Sequence, residues 1–371
     1  MAKPHIVLDA RLYGPQHRGI GRYTAALAEA ISRYNPGYEL TALVGVDGAA
    51  QELSKSGWHV VSAPYRPYSW QEQVFLPRLL TSLGCDLYHA PHFNVPFFCS
   101  VPFVVTIHDL ILHALPNRRA STYGRFYYAV KYVGYRILFR RTMRRARRIV
   151  AVTAFVAEDL TERFPGVKSK VAVIGEVESA FPATDNAEKV PYTISEPYAL
   201  VVGAFYPHKN IDRLVRVWGE VYRLTGVALR LVGKQDSFAR RIKESVAETS
   251  AFQFMGEVSD RLLPELYAGA KAVVVPSLYE GYGLPGREAA KAGALVLSSS
   301  LGALPEVYGS AAVYIPVTDD ECMRDALVGV LKNNQNGKRA AMPSAETTET
   351  LVTKWNTVYE SALEAQHAKQ E

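Results

Sequence analysis

With 371 residues, 48% of them hydrophobic and 21% charged, the chain exceeds what one hydrophobic core organises and is long enough for two domains of about 150 to 190 residues each. Its 42 Lys and Arg against 36 Asp and Glu leave a formal charge of +6, which favours anionic partners but falls far below that of a dedicated nucleic-acid binder. Cys85, Cys99 and Cys322 stand far apart in no metal-ligand spacing, which argues against a disulfide framework and points to a reducing compartment.

The opening stretch MAKPHIVLDARLYG has only a few apolar residues before Asp9 and Arg11, too few for a signal peptide or a spanning helix, so a cytoplasmic location is expected. HIVLD, ELTALVG, WHVVSA, DLYHA, PFVVTI, RIVAVT and KVAVI read as buried strands, most of them separated by amphipathic segments of helical length. That alternation is the pattern of a parallel sheet covered on both faces. The longest apolar stretch, Ala90 to Ile107, is cut by Pro91, Pro96 and Pro102 and is no continuous helix. From Arg118 to Arg148 there is no acidic residue and there are many Arg among aromatics, and a helix is predicted over much of this segment. Three readings of it stand: a basic solvated helix, a docking element for an anionic membrane surface, or a nucleic-acid contact, which no recognised nucleic-acid module accompanies. After Ile174 the polar, proline-bearing GEVESAFPATDNAEKVPYTISEP reads as a linker. YALVVG, ALRLVG, FQFMG, AVVVP, LVLSS and AVYIP then restart the alternation, so two doubly wound α/β domains in tandem are predicted. Ligands of such sheets sit beyond the carboxyl ends of the strands.

Three of those ends in the second half invite a ligand. VVGAFYPHKNIDRL places Gly203 at a strand end and Lys209 just before a predicted helix, where its ammonium either points at a phosphate or lies in solvent beside an Asn210 cap. LVGKQDS puts Gly233 and Lys234 in an equivalent position. In PSLYEGYGLPGREAAKAG, Pro285 suits the first turn of a helix stopped by Gly293, and the amides of Tyr282, Gly283 and Leu284 converge at its start. Such a start favours an anion. Glu280 in the loop and Glu288 about one turn inside the helix suit hydroxyl groups on either side of a phosphate, as in a nucleotide sugar. The plainer alternative makes Glu288 a favourable acid of the first turn and Glu280 an exposed loop residue.

The glutamate pair within PSLYEGYGLP resembles the signature of the retaining glycosyltransferases of family 4, which have the GT-B fold of two Rossmann-like domains facing across a cleft. The resemblance extends to LDARLYGPQHRGIGRYTAALAEAI, VVTIHDL, VGAFYPHKN and GALPEVYGSAAVYIP, and is nearest the bacterial mannosyltransferases of surface polysaccharide assembly. It implies an acceptor-side domain over 1–185, a nucleotide-sugar domain over 186–345, and a helix in 346–371 that returns to the first domain. It gives Glu288 the nucleotide ribose, Glu280 the transferred sugar, Lys209 the diphosphate, and the amides near Gly283 and Leu284 the distal phosphate. Gly19 and Gly21 of RGIGRY would bring backbone to the diphosphate, and His108 of VVTIHDL would stand near the donor sugar as a catalytic group. Many relatives have an Arg where this chain has Ala204, which leaves Lys234 or Arg213 as candidates for the second cation.

The implied activity is transfer of a hexose, mannose from GDP-mannose being favoured, to a glycan or lipid-linked acceptor with anomeric retention. Neither a metal nor a cofactor is expected: no Asp-x-Asp stands at a strand end, and TDDE at 318–321 reads as a helix start. A nucleotide-sugar epimerase of the same fold, or a non-catalytic membrane or nucleic-acid adaptor, is the alternative. A Rossmann dehydrogenase is disfavoured because no Gly-x-Gly-x-x-Gly follows a strand in the required place.

Overall fold

The computed structural model describes residues 3–34, 37–46, 49–115, 125–177, 196–246, 249–333, 342–344 and 346–367. They form two compact units, one from Met1–Leu110, Arg125–Ser179 and Ala345–Glu371, the other from Ile111–Gly124 and Ala180–Ser344. The division expected from the sequence, 1–185, 186–345 and 346–371, differs from these in Ile111–Gly124, which groups with the second unit, and by a few residues at the two later boundaries. The described part of Ile111–Gly124, residues 111–115, holds the short helix Ile111–Ala114 and no strand. The linker read between the halves lies largely outside the described residues.

In the first unit β1 (His5–Asp9), β2 (Glu39–Val44), β3 (His59–Ser62), β4 (Leu87–Ala90), β5 (Phe103–Ile107), β6 (Arg148–Ala151) and β7 (Val171–Val173) make one sheet in the order β3-β2-β1-β4-β5-β6-β7. Every pairing is parallel. The central strands β1, β4 and β5 are buried almost throughout, which is why they read as unbroken apolar runs rather than as alternations. Helices α1 (Arg18–Arg33), α2 (Ala50–Lys55), α3 (Trp70–Ser82), α4 (Ile111–Ala114), α5 (Arg125–Arg145) and α6 (Ala154–Arg163) follow one another in the chain between these strands. The part of the basic segment before Arg125 lies outside the described residues.

The second unit carries β8 (Tyr198–Val202), β9 (Ala228–Val232), β10 (Phe252–Gly256), β11 (Ala272–Val275), β12 (Val296–Ser298) and β13 (Ala312–Tyr314) in the order β10-β9-β8-β11-β12-β13, again all parallel. Its helices are α7 (Ile211–Thr225), α8 (Ser237–Glu244), α9 (Leu263–Gly269), α10 (Leu284–Lys291), α11 (Leu304–Tyr308) and α12 (Asp320–Lys332). α7 shows why these form: Ile211, Leu214, Val215, Trp218 and Val221 recur at helical spacing and are buried in the core, each worth about 1.5–3 kcal/mol relative to exposure. Gly226, left-handed at φ 69°, ends the helix.

The last helix, α13 (Thr348–His367), belongs to the first unit and packs on β4, β5 and β6. Leu351, Val352, Trp355, Val358, Tyr359 and Ala362 form its buried face. Tyr359 Oη lies 2.7 Å from His89 Nδ1, and Arg148 Nε donates to Ser361 Oγ at 2.7 Å.

In each sheet the chain winds outward in both directions from two neighbouring strands, β1 and β4 in the first, β8 and β11 in the second. Beyond the carboxyl ends of such a pair the flanking loops diverge and leave a crevice, the place where open α/β sheets hold ligands.

Candidate functional site

Lys209 follows β8 and Glu280 follows β11, so the two stand on either side of the second unit's crevice. The sequence assigned them to different parts of a ligand; the structure joins them. Lys209 Nζ donates to Glu280 Oε1 at 2.5 Å, and Ser277 Oγ donates to the same oxygen at 2.7 Å. The loops carrying them are tied directly, Leu278 N donating to the His208 carbonyl at 2.7 Å. Behind Glu280, Ala303 N donates to its carbonyl at 3.0 Å, and Gly302, at φ 67°, packs so tightly on the Glu280 backbone that a β-carbon would collide with it. Glu280 is thus fixed, with 7% exposure. Burial opposes ionisation of its carboxyl, but the Lys209 ammonium and the Ser277 hydroxyl outweigh that and hold it below the usual carboxylate range. The same direction of shift leaves His208 uncharged: burial, with Lys209 adjoining, pushes its imidazole down to about 4 and keeps it neutral.

Asn210 is left-handed at φ 59° and its side chain does not cap α7. Its Nδ2 donates instead to the Val317 carbonyl at 2.8 Å, so the alternative in which Asn210 caps the helix does not hold. Arg213 is also committed, to the Val317 carbonyl at 2.9 Å and to Asp320 at 2.8 Å. Lys234 is exposed beyond β9. Gly203 and Gly233 lie so close at the ends of adjacent strands that a β-carbon on Gly233 would strike the Gly203 carbonyl, while Gly203 is needed for its φ of 133°.

The predicted helix start is present. α10 opens at Leu284 with Pro285 in its first turn, and Gly283 precedes it at φ 90°. Tyr308 Oη donates to the Gly283 carbonyl at 2.5 Å, and its ring fills the space that side chains at Gly283 and Gly286 would need. The turn holding Tyr282, Gly283 and Leu284 is therefore braced from behind, with the first amides of α10 at its end. Glu288 lies in the second turn of α10 and accepts from Tyr267 Oη at 3.0 Å.

In the first unit His108 follows β5. Its Nε2 donates to the Pro91 carbonyl at 2.8 Å, and its Nδ1 lies 3.4 Å from Glu176 Oε1. Burial disfavours the charged ring, but two acceptors facing its two nitrogens overcome that, and its pKa lies above the ordinary histidine value. Tyr23 meets it edge to face at 4.6 Å between ring centroids. Gly19 and Gly21 fall inside the first turn of α1. Gly14 N donates to the Gly21 carbonyl at 3.1 Å, and a β-carbon on Gly21 would collide with the Gly14 carbonyl. The bare face of Gly21 is occupied by the chain's own loop.

Sequence reasoning missed Glu176, Ser277 and Tyr267, the partners of His108, Glu280 and Glu288. Glu176 fell in the stretch read as linker, with no periodicity to mark it. Among the described residues no group of three or more His, Cys, Asp or Glu side chains could hold a metal ion, and no helix is long and apolar enough to cross a membrane.

Residues 196–333 match a family model described as glycosyl transferases group 1, and residues 17–175 one described as Glycosyltransferase Family 4. The chain is 25% identical over 304 residues to the O-antigen chain mannosyltransferase RfbU of Salmonella typhimurium, an alignment covering 76% of this chain and 79% of the relative. It is 27% identical over 259 residues to O-antigen chain mannosyltransferase B of Escherichia coli, covering 67% of this chain and 66% of the relative. Among solved structures, Anabaena HepE in complex with UDP and glucose superposes with a TM-score of 0.65 at 16% identity, over 99% of both chains. Sucrose-phosphate synthase from Thermosynechococcus elongatus does so with a TM-score of 0.62 at 17% identity, over 99% of this chain and 98% of the other. These likenesses identify the two sheets as those of the GT-B fold.

Proposed function

The chain belongs to the family 4 glycosyltransferases, and we propose that it transfers mannose from GDP-mannose to a hydroxyl of a glycan or lipid-linked acceptor in polysaccharide or glycolipid synthesis, with retention at the anomeric carbon. The observation that carries this reading is the Lys209–Glu280 pair at the second unit's crevice, with the braced start of α10 on the same loop as Glu280. In the reading, the donor diphosphate takes the Lys209 ammonium and the first amides of α10. Both are fixed positive potentials aimed where charge grows as the diphosphate leaves, so no metal ion is required. Release from Lys209 leaves the ionised Glu280 free to accept hydroxyls of the transferred sugar, while Glu288 accepts those of the ribose. The mannosyltransferase relatives support mannose as the sugar at a modest 25% and 27% identity.

The donor is tested by thermal shift against GDP-mannose, UDP-glucose, ADP-glucose and dTDP-glucose, all in excess EDTA. GDP-mannose should stabilise most, a ligand at a hundred times its dissociation constant adding roughly 2.7 kcal/mol. A shift with UDP-glucose alone would replace the donor, and a shift that requires added magnesium would overturn the metal-free reading.

We further propose that the outer face of α5 docks the enzyme on the cytoplasmic surface of an anionic membrane, where a lipid-linked acceptor would lie. Val130, Val133 and Ile137 recur at helical spacing and are 56%, 55% and 54% exposed, and the exposed Arg136, Arg140 and Arg144 accompany them. Apolar side chains that insert and guanidinium groups that meet headgroups are the two attractions of an interfacial helix.

A further inference from the structure

The short helix α11 and its lead-in touch both ends of the segment that carries Glu280 and opens α10. At one end Gly302 packs on the Glu280 backbone and Ala303 N donates to the Glu280 carbonyl at 3.0 Å. At the other, the fully buried ring of Tyr308 lies against the bare faces of Gly283 and Gly286, where a β-carbon on either glycine would collide with it. Arg287 of α10 adds a weaker tie, its Nη1 donating to the Val307 carbonyl at 3.4 Å.

The Tyr308 hydroxyl is used twice. It donates to the Gly283 carbonyl at 2.5 Å and accepts a hydrogen bond from the Gly286 amide. Burial holds its pKa well above the ordinary phenol value, so the proton needed for donation stays in place. One donor and one acceptor thus serve the two ends of a single helical turn. Helix starts are ordinarily closed by a Ser, Thr, Asp or Asn side chain at the N-cap, which accepts from the second or third amide of the helix. Here the N-cap is Gly283, with no side chain, and the second position is Pro285, with no N–H. The amide that a capping side chain would take is therefore that of Gly286. Tyr308, shielded from solvent, takes it from the protein side of the turn.

That placement matters at a helix start meant for an anion. A capping side chain in the helix mouth stands where the anion must approach, and an Asp there would repel it. A hydroxyl brought in from α11 satisfies the same amide and leaves the mouth clear. We propose that Tyr308 is a positioning residue for the donor diphosphate: it caps α10 from behind and so holds the Gly283 and Leu284 amides on the distal phosphate. The proposal rests on the transferase reading above and adds to it a residue that touches no part of the donor.

The test is calorimetric titration of the full chain, as wild type and Tyr308→Phe, with GDP, GMP, UDP and UMP. Phenylalanine keeps the ring against Gly283 and Gly286 and removes only the hydroxyl. A monophosphate lacks the phosphate that the Gly283 and Leu284 amides would hold. Tyr308→Phe should therefore weaken the diphosphate of the preferred base roughly fivefold or more, the worth of about one hydrogen bond, and leave its monophosphate nearly unchanged. Retained monophosphate binding also shows that the second unit is folded in the variant. Equal losses for diphosphate and monophosphate would make Tyr308 a residue of stability alone, and an undiminished preference for the diphosphate would detach it from the site; either result overturns the proposal by itself. A wild type that binds none of the four nucleotides would overturn the transferase reading and the proposal with it, so the two failures are distinguishable.

Discussion

Glu280 and Lys209 each decide what the other can do. While paired at 2.5 Å, Lys209 is withheld from a phosphate and Glu280 from a hydroxyl, so a nucleoside diphosphate must compete with a carboxylate for the ammonium. Glu280→Gln should therefore leave nucleoside diphosphate affinity unchanged or make it tighter, while turnover on the intact donor falls by about 10²-fold or more if the carboxylate supports charge at the anomeric carbon. Glu288→Gln should weaken nucleoside diphosphate and nucleotide sugar alike, since both carry the ribose and a neutral amide is a poorer acceptor for two hydroxyls. Isothermal titration paired with turnover separates them; equal losses of diphosphate affinity in both variants would place Glu280 on the ribose side. The sequence made these residues visible because the glutamates bracket a glycine-rich helix start. It hid Tyr308, because nothing in GALPEVYGSAAVYIP shows that the tyrosine hydroxyl turns back to a helix start 25 residues earlier.

At the level of elements, α5 shows what a charge count leaves out. The sequence marked its arginines without separating those that face solvent from those that hold the fold. Arg141 belongs to the second kind: its Nε donates to the Phe97 carbonyl at 2.5 Å and its guanidinium lies 4.1 Å from the Phe97 ring centroid. If the outer face docks on lipid, Arg140→Gln with Arg144→Gln should shift binding to anionic vesicles toward lower salt, because the surface attraction of about 1 kcal/mol per basic residue is screened within a Debye length. Val130→Ser, Val133→Ser and Ile137→Ser together should weaken binding at every salt concentration. Co-sedimentation unchanged in both sets would leave α5 a solvated helix. The thirteen strands of the described residues were legible, as strands of parallel sheets, most of them buried on both faces, print themselves as short apolar runs. Periodicity alone did not show the seat of α13, since it gives a helix an apolar face and says nothing of a partner 270 residues away; the family resemblance had implied its return to the first domain.

For the molecule as a whole, histidines held neutral by the fold weaken it toward acid, alongside the paired carboxylates Asp9 and Glu280. Burial first of all pushes His89 and His92 down to about 3, and His208 to about 4, so all three remain neutral in the fold while the unfolded chain protonates them near 6.5. Lowered values contribute stability that is present above about pH 6.5 and lost as pH falls toward 4, with a slope of about 1.4 kcal/mol per pH unit for each proton. His108 has the opposite sign: its raised value adds stability on the acid side that disappears as pH rises through it. Thermal unfolding from pH 8 to 4.5 should show Tm falling below about 6.5, and His89→Gln should make that fall shallower. A Tm independent of pH across this range would contradict the neutral assignment.

The seat of α13 also sets an order of assembly that is not the order of the sequence. On a ribosome, His89 of β4 emerges 270 residues before Tyr359 can reach it, a delay of roughly 15 to 55 seconds at ordinary elongation rates. The second unit, whose described core lies between Ala199 and Leu331, can close within that interval. The half of the protein that is made first is thus the last to be completed, and until Trp355 and Tyr359 arrive its sheet presents a bare apolar surface to the rest of the cell.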